Sequence, residues 1–202
     1  MKQKQLLSQT RKAIEDYRMI EEGDRIAVGL SGGKDSLTLL YALKQLQRFY
    51  PNHFQLMAIT VDLGFDNFDA NAMKQFCTEL DVPYQIVATQ IAPILFEARK
   101  ESNPCSLCAK MRKGALNQAL AEKGFNKVAY AHHRDDLIET MLLSLLFEGR
   151  FHAFEAKTLL EHREITVIRP LLYVTEADVK GICNRYQLPL LKSPCPMDGH
   201  TK

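Results

Sequence analysis

Apolar positions along this chain follow two periods in turn. Ile26, Ala27, Val28 and Leu30 form a short, nearly unbroken apolar run, the length of one buried strand. Runs of the same kind stand at Gln55–Val61, Tyr84–Ala88, Lys127–Ala131 and Ile165–Ile168. Between them apolar residues recur at helical spacing. Leu37, Leu40 and Leu43 follow the first run, and helices are predicted over 69–80, 104–123, 135–147 and 175–186. At the start of the chain, Leu6, Thr10, Ala13, Ile14 and Tyr17 share one face, predicting an amphipathic helix that stops near Gly23. Strands alternating with helices predict an α/β fold, a parallel five-stranded sheet with helices on both faces. No internal repeat interrupts it. The reading is one domain over 1–202, with an N-terminal helix in 1–22 and a cysteine-bearing C-terminal loop in 188–202.

The breaks in the pattern carry the chemistry. Ser31, Gly32, Gly33, Lys34, Asp35 and Ser36 lie between the first strand and the helix after it. Backbone N–H groups at a helix start lack intrahelical partners and, with the helix dipole, make an anion cradle. A Walker A loop would need four residues between its first Gly and the Gly-Lys pair, then Ser or Thr. Here Val28 holds the place of that first Gly and Asp35 follows Lys34. The Gly-x-Gly-x-x-Gly fingerprint is absent too. The loop resembles the PP-loop of the N-type ATP pyrophosphatase superfamily, whose members cleave ATP between the α and β phosphates and adenylate a substrate. In an open parallel sheet, ligands bind at the carboxyl ends of the strands. Asp62 follows the second strand, His132, His133, Asp135 and Asp136 the fourth, and Arg169 the fifth, so these groups are expected on one edge. Asp135 and Asp136 open a helix, where capping is one role and Mg2+ ligation the other.

Composition narrows the partners only slightly. A formal net charge of +2 over 202 residues neither requires nor excludes nucleic acid. No apolar run reaches membrane-spanning length and the first residues are polar, so a cytoplasmic protein is expected. Five cysteines in a reducing compartment point to metal or redox chemistry rather than disulfides. Cys77 and Cys183 fall in apolar helical patterns and read as core thiols. Cys105 and Cys108 form Pro-Cys-Ser-Leu-Cys at a helix start, where the dipole and Lys110, Arg112 and Lys113 favour thiolates. Cys195 stands between two prolines. Together they make a three-thiolate site. Structural zinc wants a fourth ligand, for which His200 is the evident residue, whereas an iron–sulfur cluster on three thiolates keeps one iron open. Arg99, Lys100 and Arg134 extend the basic surface around the cysteine pair, as an RNA-facing patch or as salt-bridge partners.

Ser-Gly-Gly-Lys-Asp-Ser, Pro-Cys-Ser-Leu-Cys, His-His-Arg-Asp-Asp-Leu-Ile-Glu-Thr and Ile-Arg-Pro-Leu together resemble the TtcA family, the tRNA 2-thiocytidine synthetases. The resemblance spans Arg25 to Cys195. It implies an adenine nucleotide α-hydrolase-like fold, ATP, Mg2+ and a 4Fe-4S cluster on Cys105, Cys108 and Cys195. It further implies pyrophosphate at Ser31–Ser36 and Asp62 near the nucleotide. The expected catalytic residues are Lys34, Asp35, Lys113 and Asp136. His132, Asp135 and Arg169 join Asp62 and the loop in cofactor binding. The expected reaction is ATP-dependent tRNA thiolation, with a cytidine of the anticodon loop as the foremost target. A cysteine desulfurase or free sulfide would supply sulfur, with no membrane partner and a homodimer among the expected states. The alternatives are an adenylating enzyme for a small molecule or another tRNA base, with zinc as a structural metal, and a non-catalytic nucleotide-binding regulator. Lys34, Asp35 and the paired aspartates weigh against the regulator, because passive binding needs no metal-positioning carboxylates.

Overall fold

Each apolar run becomes a strand in the computed structural model, which describes residues 1–66, 68–98, 104–160, 164–191 and 194–197. Arg99, Lys100 and His200 lie outside the described residues. The strands are β1 (Asp24–Gly29), β2 (Phe54–Asp62), β3 (Tyr84–Ala88), β4 (Lys127–Ala129), β5 (Lys157–Leu160) and β6 (Ile165–Ile168). They form one sheet in the order β3-β2-β1-β4-β6-β5. All neighbours pair in parallel except β5, which runs antiparallel to β6 with Lys157 opposite Ile168 and Leu160 opposite Ile165. The sheet therefore has six strands rather than the five expected. Sequence reading misses β5 because it is a short edge strand with Leu159 exposed, so neither alternation nor a buried run marks it.

The helices are α1 (Gln3–Asp16), α2 (Lys34–Gln47), α3 (Asn71–Glu79), α4 (Pro104–Glu122), α5 (Arg134–Glu148) and α6 (Glu176–Tyr186), with a short π-helix at Pro93–Ala98 before α4. α1 ends at Asp16, short of the expected stop near Gly23. Arg18 adopts φ 46°, and the Met19 N–H bonds back to the Ile14 carbonyl at 2.9 Å. That turn drives Met19 and Ile20 into the core, so they contribute apolar residues without extending the helix.

Alternation along β1 splits the core in two. Ile26 and Val28 face a cluster with Leu6, Ile14, Leu37, Leu40, Met73 and Ile182, drawn from α1, α2, α3 and α6. Ala27 faces the opposite side, where Leu116 and Leu120 of α4 pack on Ile59, Val128 and Val167. Cys77 and Cys183 are buried in the first cluster, as core thiols.

At the amino ends of β1 and β4 an ion pair locks the two strands. Lys127 Nζ meets Asp24 Oδ2, with both side chains only 4% exposed. Asn126 Nδ2 donates to Asp24 Oδ1 at 2.8 Å, and the Glu21 N–H donates to Asp24 Oδ2 at 2.7 Å. Asp24→Ala strands a buried ammonium whose remaining acid, Glu21, stands at 3.5 Å. Denaturant titration should show a loss of about 3 kcal/mol.

β1 lies between β2 and β4, so the connections leaving β1 and β4 diverge at their carboxyl ends. This is the switch point of a doubly wound sheet, where a crevice opens.

Candidate nucleotide and thiolate site

The crevice is built on the loop after β1. The Leu30 N–H bonds to the Ile59 carbonyl at 2.8 Å, carrying the chain past the sheet edge before Ser31 turns it. Gly32 takes φ 81°, a conformation that L side chains adopt only with strain. A Cβ there would also lie 2.9 Å from Leu191 Cβ, and the Leu191 N–H bonds to the Gly32 carbonyl at 3.0 Å. Ser36 Oγ closes the loop by accepting from the Ser31 N–H at 3.2 Å and donating to the Gly33 carbonyl at 3.0 Å. Gly33 is the N-cap of α2 and supplies no side-chain cap, so the helix start keeps donors for an anion.

A cavity of about 630 Å3 opens beside this loop. Of the residues singled out in the sequence, Ser31, Asp35 and Ser36 line it from one wall, His132, Asp136 and Arg169 from another, and Lys113 from α4. Three polar atoms on these walls are buried without a hydrogen bond: Asp35 Oδ1, His132 Nδ1 and Arg169 Nε. Buried polar groups are normally satisfied, so a polar occupant fits here. The His132 ring packs on Phe154 at 4.8 Å, and the Arg169 guanidinium covers the same ring at 4.9 Å. Burial, followed by the charge of Arg169, lowers the His132 pKa, leaving a neutral imidazole at physiological pH.

Other expected site residues lie off these walls. Lys34 Nζ pairs with Asp35 Oδ2 at 3.1 Å and Glu176 Oε1 at 3.3 Å. Burial alone would lower its pKa, but these carboxylates outweigh it and raise it. Asp62 Oδ1 accepts the Gly64 N–H at 2.9 Å, bracing its own turn. Asp135 does not join Asp136 on the cavity wall. Its Oδ2 accepts the Glu176 N–H at 2.8 Å, tying α5 to the start of α6. Asp136 closes a capping box, accepting the His133 N–H at 2.7 Å while its own N–H reaches His133 Nδ1 at 3.4 Å. Capping thus accounts for part of each aspartate, and Asp136 alone of the two faces the cavity.

The cysteines surround a second, smaller cavity. Cys105, Cys108 and Cys195 line about 220 Å3 together with Leu63, Phe65, Leu95, Phe96 and Met197. Among the described residues, no three His, Cys, Asp or Glu side chains are grouped as ligands of a single metal ion. Three sulfurs bordering one cavity form a donor set that can take a 4Fe-4S cluster with one iron left open. The thiolate expectation needs correction at Cys108. Burial pushes that thiol up, and Arg112 only partly offsets it.

Several residues outside the expected catalytic and cofactor-binding set also border this region. Arg112 lines both cavities, whereas Lys113 lines only the nucleotide side. The two basic residues are adjacent in sequence, and only the rotational phase of α4 separates their roles. Tyr130 walls the larger cavity, and His133 lies with Nε2 3.6 Å from Asp35 Oδ1. Leu191 backs Gly32 from a segment more than 150 residues away, and no local signal marks it.

A phosphate-cradling loop at the switch point of a parallel sheet, with polar groups converging from the neighbouring strand ends, defines an α/β nucleotide-binding domain of the PP-loop type. The PP-loop domain family matches residues 2–195. A tRNA-cytidine(32) 2-sulfurtransferase of Pelobacter propionicus is 41% identical over 191 residues, covering 94% of this chain and 71% of that protein. One of Legionella pneumophila is 39% identical over 198 residues, covering 98% and 69%. The chain therefore belongs to the PP-loop family, on its TtcA branch. Among solved structures, the U34-tRNA thiolase NcsA from Methanococcus maripaludis, with its 4Fe-4S cluster, superposes with a TM-score of 0.76 at 29% identity, covering 96% of this chain and 67% of that one. The NH3-dependent NAD synthetase of Campylobacter jejuni shares the fold, with a TM-score of 0.56 at 17% identity, over 93% and 75%.

Proposed function

We propose that the protein is an AMP-forming tRNA sulfurtransferase that replaces the carbonyl oxygen of a tRNA cytidine with sulfur. One observation carries this reading: the nucleotide cavity and the cysteine cavity share Ala109 and Arg112 of α4. An activated carbonyl formed in the first cavity would thus stand beside the thiolates of the second. Relatives named for cytidine 32, and a structural neighbour that is a tRNA thiolase holding a 4Fe-4S cluster, support the substrate class and favour position 32.

The chemistry divides between the cavities. Ser31–Ser36 hold the β and γ phosphates of ATP through helix-start N–H groups and the serine hydroxyls. Asp35, through Oδ1, which makes no hydrogen bond, and Asp136 would hold Mg2+. The base oxygen attacks the α phosphorus, pyrophosphate leaves, and the oxygen now belongs to a good leaving group. Sulfide then adds to the carbonyl carbon and AMP departs with the oxygen, so no external oxidant or reductant is consumed. The neutral His132 imidazole and the Arg169 guanidinium line the nucleotide side as hydrogen-bond donors, and Arg112, which borders both cavities, would stabilise charge on the departing phosphate. The residues that would hold a 4Fe-4S cluster are Cys105, Cys108 and Cys195, and such a cluster supplies an iron with an open position for sulfide. Phe65, Phe96 and Met197 give the cysteine cavity apolar walls, which would limit water where the sulfur nucleophile meets the activated base.

The sulfur is proposed to come from a cysteine desulfurase or free sulfide, and the enzyme to act in the cytoplasm as a homodimer. Among the described residues, no helix is long and apolar enough to cross a membrane. The reading is tested with reconstituted protein, ATP, Mg2+, sulfide and tRNA lacking the modification, followed by nucleoside mass spectrometry. 2-Thiocytidine together with AMP is the expected product. Adenylation of a small metabolite without any thionucleoside in the tRNA would replace this function with the small-molecule one.

A further inference from the structure

β5 enters the sheet at the edge where the parallel strands leave it. It pairs antiparallel with β6, Lys157 lying opposite Ile168, so the residues just before Lys157 run beside the loop that follows β6. The Arg169 N–H donates to the Ala156 carbonyl at 3.0 Å, and Arg169 Nη1 donates to the Glu155 carbonyl. One residue further back, the half-buried ring of Phe154 has its centre 4.9 Å from the Arg169 guanidinium carbon and 4.8 Å from the centre of the His132 ring. Tyr130 meets the same His132 ring edge-on at 6.1 Å. β6 lies between β4 and β5, so Phe154 reaches past it to a residue that follows β4. Phe154 does not itself border the nucleotide cavity, but His132 and Arg169 do.

We infer that Phe154 is a positioning residue for that cavity: its ring is a shared platform that holds His132 and Arg169 in place, leaving His132 Nδ1 and Arg169 Nε for the occupant. The inference rests on the reading that the cavity takes ATP, and not on which base is thiolated. Both of those nitrogens are buried without a hydrogen bond, so their partners must come from a ligand. Arg169 is restrained by a ring face and a backbone carbonyl, neither of which carries a negative charge. Its positive charge therefore stays available to a phosphate. Lys34, by contrast, is held by the carboxylates of Asp35 and Glu176. A guanidinium stacked in this way has given up its rotamer freedom before the ligand arrives, so binding does not bear that cost. His132 gains in the same manner. Contact with Phe154 and Tyr130 fixes the plane of its ring and with it the direction of Nδ1.

Calorimetric titration of the full chain tests this without turnover, using Mg2+ and ATP with a methylene bridge between its α and β phosphates. Phe154→Leu keeps an apolar filler but removes the aromatic face, and should raise the dissociation constant about 10-fold. Phe154→Tyr restores the face and should bind within about 2-fold of the wild type. In a chain that already carries H132A and R169A, Phe154→Leu should change the constant by less than about 2-fold, because the groups it acts through are gone. The phosphate loop is intact in that background, so the titration extends to higher nucleotide concentration. Urea midpoints read stability separately. A purely structural loss would appear in both backgrounds, whereas the binding penalty should appear only in the first. Wild-type affinity in Phe154→Leu, a Phe154→Tyr variant no tighter than Phe154→Leu, or a penalty that persists without His132 and Arg169 would each overturn the positioning role alone. A wild type that does not bind the analogue would overturn the nucleotide reading, and this role with it.

Discussion

Asp35→Ala is expected to abolish formation of AMP and pyrophosphate, by about 1,000-fold or more, while the protein stays folded. Asp35 sits in the first turn of α2, directly behind the phosphate loop. Its Oδ2 pairs with Lys34, but its Oδ1 is buried on the cavity wall without a hydrogen bond. Carboxylate oxygens left unsatisfied in a nucleotide cavity are natural ligands for the cation that accompanies ATP. Removal should cost little stability, because Lys34 keeps Glu176 and the Asp35 side chain is a third exposed. Asp35→Asn separates charge from shape. If the negative charge is what matters, asparagine should be nearly as inactive as alanine. Product analysis decides the reading: ADP and inorganic phosphate from the wild type would mean cleavage between the β and γ phosphates, and the assignment of the loop would fall.

What the sequence made legible was mostly local. The apolar run, the two glycines and the helical spacing after them lie within twenty residues, and they specify a strand, a turn and a helix start without tertiary information. The same holds for the clustering at strand ends, since parallel topology sends every such loop to one edge. β5 escaped because an exposed edge strand is defined by its partner β6 rather than by its own pattern. The role of Asp135 escaped for another reason. Adjacent aspartates at a helix start diverge by about 100° of rotation, so one faces the cavity and the other reaches the backbone of α6. Arg112 and Lys113 differ in the same way, as does the direction of the Cys108 thiol, which depends on burial that flanking charges do not reveal. Leu191 and Tyr130 are positioned wholly by packing, and such residues become visible only when the chain is folded.

Cys105→Ser, Cys108→Ser and Cys195→Ser should each abolish stoichiometric iron and acid-labile sulfide after anaerobic reconstitution, and with them thiolation. The three sulfurs border one apolar cavity, so loss of any one removes a third of the protein donors. Cys77→Ala and Cys183→Ala should keep the metal content. Cys77 lies on the buried face of α3 and its thiol is pushed up to about 11 by burial, and Cys183 shares its hydrogen with Thr38 or the Lys34 carbonyl. Neither borders the cysteine cavity. Adenylation should survive the three serine variants, because the phosphate loop and its carboxylates lie in the other cavity. That separation distinguishes a lost metal centre from a misfolded enzyme. Loading should also depend on pH. Burial raises the Cys108 pKa, so binding metal through that thiol requires it to give up a proton that it holds more tightly than a free cysteine does. Occupancy at limiting iron should therefore rise from pH 6.5 to 8.5. Active protein that retains stoichiometric zinc and never requires iron would show instead that the cysteines serve a structural metal.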